Sequence, residues 1–223
     1  MLGSTTLRKW RLAVALGAFL TAGVTACGSD NNNRNTPTSP TTTEEQTTKI
    51  VSSIKSDSNI FAVMHWSNIG EINAGKVVSV SGSDTGVVAF ADQMVADHST
   101  LDSAAFALEQ ASAIAPALSD STIATAVNAE QDSLQNLARV PKSDSTAASG
   151  DSTTGPPPSQ LDKAYIATQV KDHTRTLAIV DASLKVVQNS DLKDMLQTTV
   201  RPMILMHLQE AQAIQSRIGA PTS

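Results

Sequence analysis

The chain has 223 residues and a net charge of −5, with 40% hydrophobic and only 3% aromatic side chains. That length suits one ordinary domain with a leader and linkers, and an acidic chain without a basic run lacks the electrostatic footprint of a nucleic-acid binder. Its single cysteine leaves no internal disulfide to form.

In chain order, residues 1–26 read as an export leader. Arg8, Lys9 and Arg11 precede an apolar run from Leu12 to about Val24. That run falls well short of the ~20 residues a membrane-spanning helix needs. The leader ends at Val24-Thr25-Ala26-Cys27, which resembles the bacterial lipobox. The resemblance implies a signal peptide cleaved before Cys27 and a lipid on that cysteine. It also implies a membrane contact made through the acyl chains alone. Gly28 and Ser29 stand where an inner-membrane retention aspartate would be, which in a Gram-negative cell favours the outer membrane, facing the periplasm. Without its leader the chain carries 13 Lys+Arg against 21 Asp+Glu, a net charge of −8.

From Cys27 to Thr48 the chain is rich in Ser, Thr, Asn and Pro, a composition expected to form a tether. Residues 49–219 form the expected folded domain, interrupted by a Pro/Gly/Ser-rich insert at 141–160. Ala, Leu, Val and Gln dominate the domain without sustained period-two alternation, so it reads as all-α. Helices are expected over about 58–80 and 85–115, the second with Asp84 as N-cap and Pro116 as its stop. A short helix covers about 121–139, and two long ones cover 161–188 and 192–218. Pro202 is expected to kink the last helix. Four long helices with short turns after the first and third predict an antiparallel four-helix bundle with one extra short helix.

Laid out at 3.6 residues per turn, each of the four core stripes is interrupted by an ionisable side chain. Glu71 lies among Met64, Ala74 and Val78, and His98 among Met94, Val95 and Leu101. His173 lies among Ile166, Val170 and Leu177, and His207 among Val200, Ile204 and Ala211. His173 and His207 each lie 17 residues from the turn at Ser190, which sets them level. Glu71 and His98 lie 12 and 15 residues from Ser83, a mismatch of roughly one helical turn.

The segments around Ile69-Gly70-Glu71-Ile72, Phe90-Ala91-Asp92-Gln93-Met94-Val95-Ala96-Asp97-His98, Leu161-Asp162-Lys163-Ala164-Tyr165 with Val170-Lys171-Asp172-His173, and Arg201-Pro202 with His207-Leu208 carry a resemblance. Over residues 57–217 they resemble a bacterial exported family catalogued as domain of unknown function 4142. The resemblance implies a ferritin-like bundle and no particular reaction. The insert before Leu161 departs from that family's compactness, and Gln169 stands where a Met is common.

Glu71, His98, His173 and His207 are therefore the candidate metal ligands, with Asp102, Asp162, Tyr165 and Glu210 as outer partners. Three imidazoles and a carboxylate suit iron, copper, zinc or manganese. Met94 and Met203, each four residues before a histidine, add a Cu(I)-type alternative to their reading as core packing. The competing reading makes the same Glu and His side chains a hydrogen-bonded core network in a structural or interaction module. A redox enzyme is the third class. It is weakened by the lack of the Glu-x-x-His pairs of di-iron bundles; only the reversed His207-Leu208-Gln209-Glu210 is present. No phosphate loop or nucleophile motif occurs, and His65 and Trp66 fall off the Glu71 stripe.

Overall fold

The computed structural model describes residues 42–140 and 157–221, and these are helical apart from turns and connections. The elements are α1 (Thr43–Ser53), α2 (Asp57–Ser81), α3 (Thr85–Ser112), α4 (Thr122–Ala138), α5 (Gln160–Ser183), α6 (Ser190–Met195) and α7 (Arg201–Ile218). A π-helical turn, Leu196–Val200, joins α6 to α7 in one continuous rod. The leader, Cys27, most of the expected tether and most of the 141–160 insert lie outside the described residues. Among the described residues no helix is long and apolar enough to cross a membrane.

α2, α3, α5 and the α6–α7 rod form the four-helix bundle. α2 and α3 are joined by a three-residue turn at 82–84, so they run antiparallel. Asp57 at the start of α2 accepts from the backbone N–H groups of Gln188 and Asn189, just beyond α5 (both 2.9 Å). At the other end Ser83, just beyond α2, donates to Asp162 in the first turn of α5, so α2 and α5 are also antiparallel. Asp84, the N-cap of α3, pairs with Arg217 near the end of α7. α4 lies in the single long crossover from α3 to α5 and packs on both α2 and α5. This is the ferritin-like arrangement, in which one long connection joins two hairpins.

The turn after α3 is pinned where the crossover begins. Ser58 donates through its hydroxyl to the carbonyl of Ala115, and Asn59 through its amide to that of Ala117 (2.5 and 2.8 Å). Close approach of α2 to α3 depends on Gly75. A Cβ there would lie 2.8 Å from both the Ala91 carbonyl oxygen and Val95 Cγ2.

One sequence expectation needs correction. The tether does not extend to Thr48, because α1 begins at Thr43. Thr42 Oγ1 accepts from the Glu45 N–H, while Glu45 Oε2 accepts from the Thr42 N–H (3.2 and 2.9 Å). This capping box satisfies two end groups, and Ile50 anchors the helix in the core beside Ile60 and Phe61. The disturbance expected at Pro202 takes the form of a π turn, Leu196–Val200, that runs directly into α7. The Arg201 N–H reaches back to the Leu196 carbonyl, and the widened π turn accommodates the proline within a continuous rod.

Candidate metal centre

The bundle interior divides into two apolar clusters. One is centred on Phe61, Leu101, Ile179 and Ile204, and the other on Phe90, Met94, Tyr165 and Ala211. Three imidazoles from three helices meet within this interior: His98 of α3, His173 of α5 and His207 of α7. Their relative exposures are 1%, 1% and 0%. Ring centroids lie 5.7 Å apart for His98–His173, 5.4 Å for His98–His207 and 5.4 Å for His173–His207. One ligand nitrogen from each lies within 4.8 Å of the other two.

The outer contacts of the rings decide what these nitrogens present. His98 Nδ1 lies 3.0 Å from Asn68 Oδ1, and His173 Nδ1 lies 3.0 Å from the Gln169 carbonyl oxygen. His207 Nε2 lies 2.9 Å from Asp97 Oδ2. A carbonyl or carboxylate oxygen can only accept, so the ring nitrogen facing it carries the hydrogen. That leaves Nε2 of His98, Nε2 of His173 and Nδ1 of His207 as bare lone pairs. None of these three has a hydrogen-bond partner among the described residues. Each ring is thus oriented from behind by an oxygen, as metal-bound histidines usually are.

Burial also keeps the rings neutral. It pushes His98 well below the usual imidazole value, and mutual repulsion with His173 and His207 adds to the effect. Burial lowers His173 to about 4, against the opposing hydrogen bond to Gln169. It lowers His207 too, while the Asp97 bond works in the other direction. A neutral imidazole is the form that binds a metal.

These shifts give a pH prediction for metal-free protein. His173 has a folded value below its unfolded value of 6.5, so its contribution is fully present above pH 6.5. The contribution is lost as pH falls through about 4, at a cost of ~3 kcal/mol for His173 alone. Glu71 works the other way, because burial raises it to about 7. Its neutral form favours folding at low pH, and that contribution fades as pH rises through 7. Three depressed histidines act against the raised carboxyls of Glu71, Asp172 and Glu109, so the histidine contribution is read by difference. The wild-type denaturant midpoint, measured relative to that of His173→Gln, should fall between pH 6.5 and 4. A difference that held steady across that window would contradict the buried-neutral assignment.

Of the four expected ligands the structure brings together only the three histidines. Glu71 stands outside the triad, behind His173. Its Oε2 accepts from Gln169 Nε2 at 2.6 Å, and its Oε1 lies 3.7 Å from His173 Nδ1, the nitrogen already engaged by Gln169. The residue of α2 that touches the triad is Asn68, one turn earlier. The expected outer partners are also reassigned. Asp102 pairs with the exposed His65 at 3.0 Å. Asp162 accepts from three backbone N–H groups, those of Ser83, Asp84 and Ser159, and from the Ser159 hydroxyl at the helix ends. Tyr165 packs its ring against Phe90, and its hydroxyl has no partner among the described residues. Glu210 is half-buried and makes no hydrogen bond or ion pair among the described residues. Met94 and Met203 sit in the two apolar clusters as packing residues.

Asn68, Asp97 and the Gln169 carbonyl are the outer partners that sequence reasoning missed. A buried ionic group on α4 and α5 was missed as well. Arg175 pairs with Asp172 (3.0 Å) and Glu130 (3.3 Å), and Lys171 with Glu130 (2.6 Å). It holds the crossover helix against the hairpin that carries His173.

The family model described as Domain of unknown function (DUF4142) matches residues 38–214, and the chain belongs to that family. No curated protein and no solved structure matches the chain.

Proposed function

We propose that this DUF4142 protein binds one transition-metal ion through His98 Nε2, His173 Nε2 and His207 Nδ1. The observation that carries this reading is that one ring nitrogen of each buried histidine lies within 4.8 Å of the other two. His98 Nε2, His173 Nε2 and His207 Nδ1 have no hydrogen-bond partner among the described residues, and the opposite nitrogen of each ring faces an oxygen acceptor. A core network, the competing account, would need donors for those nitrogens, and an unsatisfied buried polar atom costs on the order of 1–3 kcal/mol. A metal ion satisfies all three at once. Tetrahedral coordination at 2.0–2.1 Å sets ligand nitrogens about 3.3 Å apart, so the rings would draw inward on binding.

The donor set narrows the ion. Three imidazoles without a carboxylate suit zinc, copper or iron better than manganese, which prefers oxygen ligands. Three protein ligands leave a fourth position for an exogenous group. We place the protein in the cell envelope, lipid-anchored through Cys27, on the resemblance of residues 24–27 to a lipobox. Mass-spectrometric labelling with a palmitate analogue, lost in Cys27→Ala, tests the anchor.

Metal content of protein purified without chelator tests the site. Near-stoichiometric zinc, copper or iron, lost in His173→Ala/His207→Ala, is the expected result. Protein that stays metal-free on reconstitution would leave the bundle a structural module. Asp97→Asn should weaken binding by about 10–100-fold, the usual cost of losing an outer carboxylate, without changing stoichiometry. Competition with a chromophoric chelator reads this directly, and unchanged affinity would remove Asp97 from the site.

A further inference from the structure

The π turn that accommodates Pro202 lies beside the metal centre and helps to shape a second space there. Leu196 and Val200 of that turn, with Met64, Leu101, Ile179 and Val180, line a cavity of about 20 Å³ next to His98. The wall is almost wholly carbon. Its buried polar residues include His98, 1% exposed, whose Nδ1 meets Asn68 Oδ1 and whose Nε2 is the triad nitrogen, and Asn68, 2% exposed, whose Nδ2 has no partner among the described residues. Glu71 and Ser183 also border the space; Glu71 Oε2 accepts from Gln169 while its Oε1 lies 3.7 Å from His173 Nδ1, and the Ser183 hydroxyl donates to the Ile179 carbonyl. Ser67 and Thr176 stand half-buried at the rim.

This combination selects by size and polarity. A buried water normally keeps two to four hydrogen bonds, whereas small apolar cavities stay dry and take up uncharged atoms or gases. A single amide N–H in a carbon-lined space offers one weak anchor, which a neutral diatomic with a lone pair can use. An ion would be desolvated there without compensation.

We propose that this cavity holds an uncharged diatomic gas of the dioxygen class, against Asn68 and beside His98. Occupancy depends only on the cavity. Its meaning as a reservoir next to a metal rests on the triad reading given above. Asn68 links the two, since the amide that meets the gas also orients the His98 ring.

Methyl-labelled protein compared under dioxygen and under nitrogen tests the proposal, with paramagnetic relaxation of the methyl signals as readout. The expected result is a several-fold greater enhancement at Leu101, Ile179, Val180, Leu196 and Val200 than at Val78, Val87 and Ile166, which are equally buried in the other cluster. Val180→Ile and Val200→Ile each add one methylene to the wall. Each should remove the local enhancement while leaving the Val87 and Ile166 signals in place, and the second variant serves if the first fails to fold. Enhancement uniform over both clusters, enhancement that survives both variants, or water cross-peaks to the cavity methyls would overturn the proposal. Selective enhancement in protein that binds no metal would leave the cavity standing and remove only the triad reading.

Discussion

Titration of the metal-free protein with Zn²⁺ should raise its unfolding free energy by about 4 kcal/mol when free ion reaches about 1,000 times Kd, and His98→Ala should abolish the gain. The linkage follows because the unfolded chain does not hold the three nitrogens together. The folded protein presents bare lone pairs of His98, His173 and His207 in its interior, each aimed by Asn68, the Gln169 carbonyl or Asp97. In the absence of metal, His98→Ala removes one unsatisfied nitrogen but opens space in the core, so its own effect is the difference of two opposing terms. The metal-dependent gain has no such offset. His65→Ala is the control, because His65 is exposed and bound to Asp102 at the surface. It should leave the titration curve unchanged. If His65→Ala removes the gain, or if His98→Ala retains it, the ion sits elsewhere.

The triad was legible in the sequence because each histidine interrupts an otherwise apolar stripe. Equal distances of His173 and His207 from the second hairpin turn set them level, as the 5.4 Å between their rings shows. The same counting on the first hairpin held the correction to Glu71. His98 lies 15 residues beyond Ser83, and the residue 15 before Ser83 on α2 is Asn68. Glu71 drew attention because a carboxylate on a core stripe is conspicuous, whereas an amide is an unremarkable interior residue. Asp97 was hidden for a different reason. It neighbours His98 in sequence, so it lies about 100° around α3, and its contact with His207 depends on how α3 and α7 pack. The Gln169 contact comes from a backbone carbonyl and leaves no trace in side-chain pattern. The π turn was half legible: Pro202 announced a disturbance, but its form depends on the apolar contacts that keep the rod continuous.

Asp162→Ala should cost about 3–5 kcal/mol of stability and should weaken metal binding as well, although Asp162 touches none of the histidines. Its buried carboxylate, 0% exposed, accepts from the backbone N–H groups of Ser83, Asp84 and Ser159 and from the Ser159 hydroxyl. It thereby fastens the α2–α3 turn to the start of α5. Asp84, held in this knot, caps α3 through the Val87 N–H and pairs with Arg217 of α7. Asp162 and Asp84 together thus connect the ends of all four bundle helices. Removing Asp162 leaves several buried donors without an acceptor, and α5 is freed to slide against α2 and α3. Because His98 and His173 ride on α3 and α5, a slip of a fraction of a turn separates nitrogens that must close to about 3.3 Å. Asp162→Asn separates the two consequences, since it keeps one acceptor oxygen but turns an NH₂ towards a cluster of donors. It should fall between wild type and Asp162→Ala in both denaturant midpoint and metal affinity. Metal affinity that stayed at the wild-type level while stability fell would show that the triad is set locally by Asn68, Asp97 and Gln169 instead of by the knot at the helix ends.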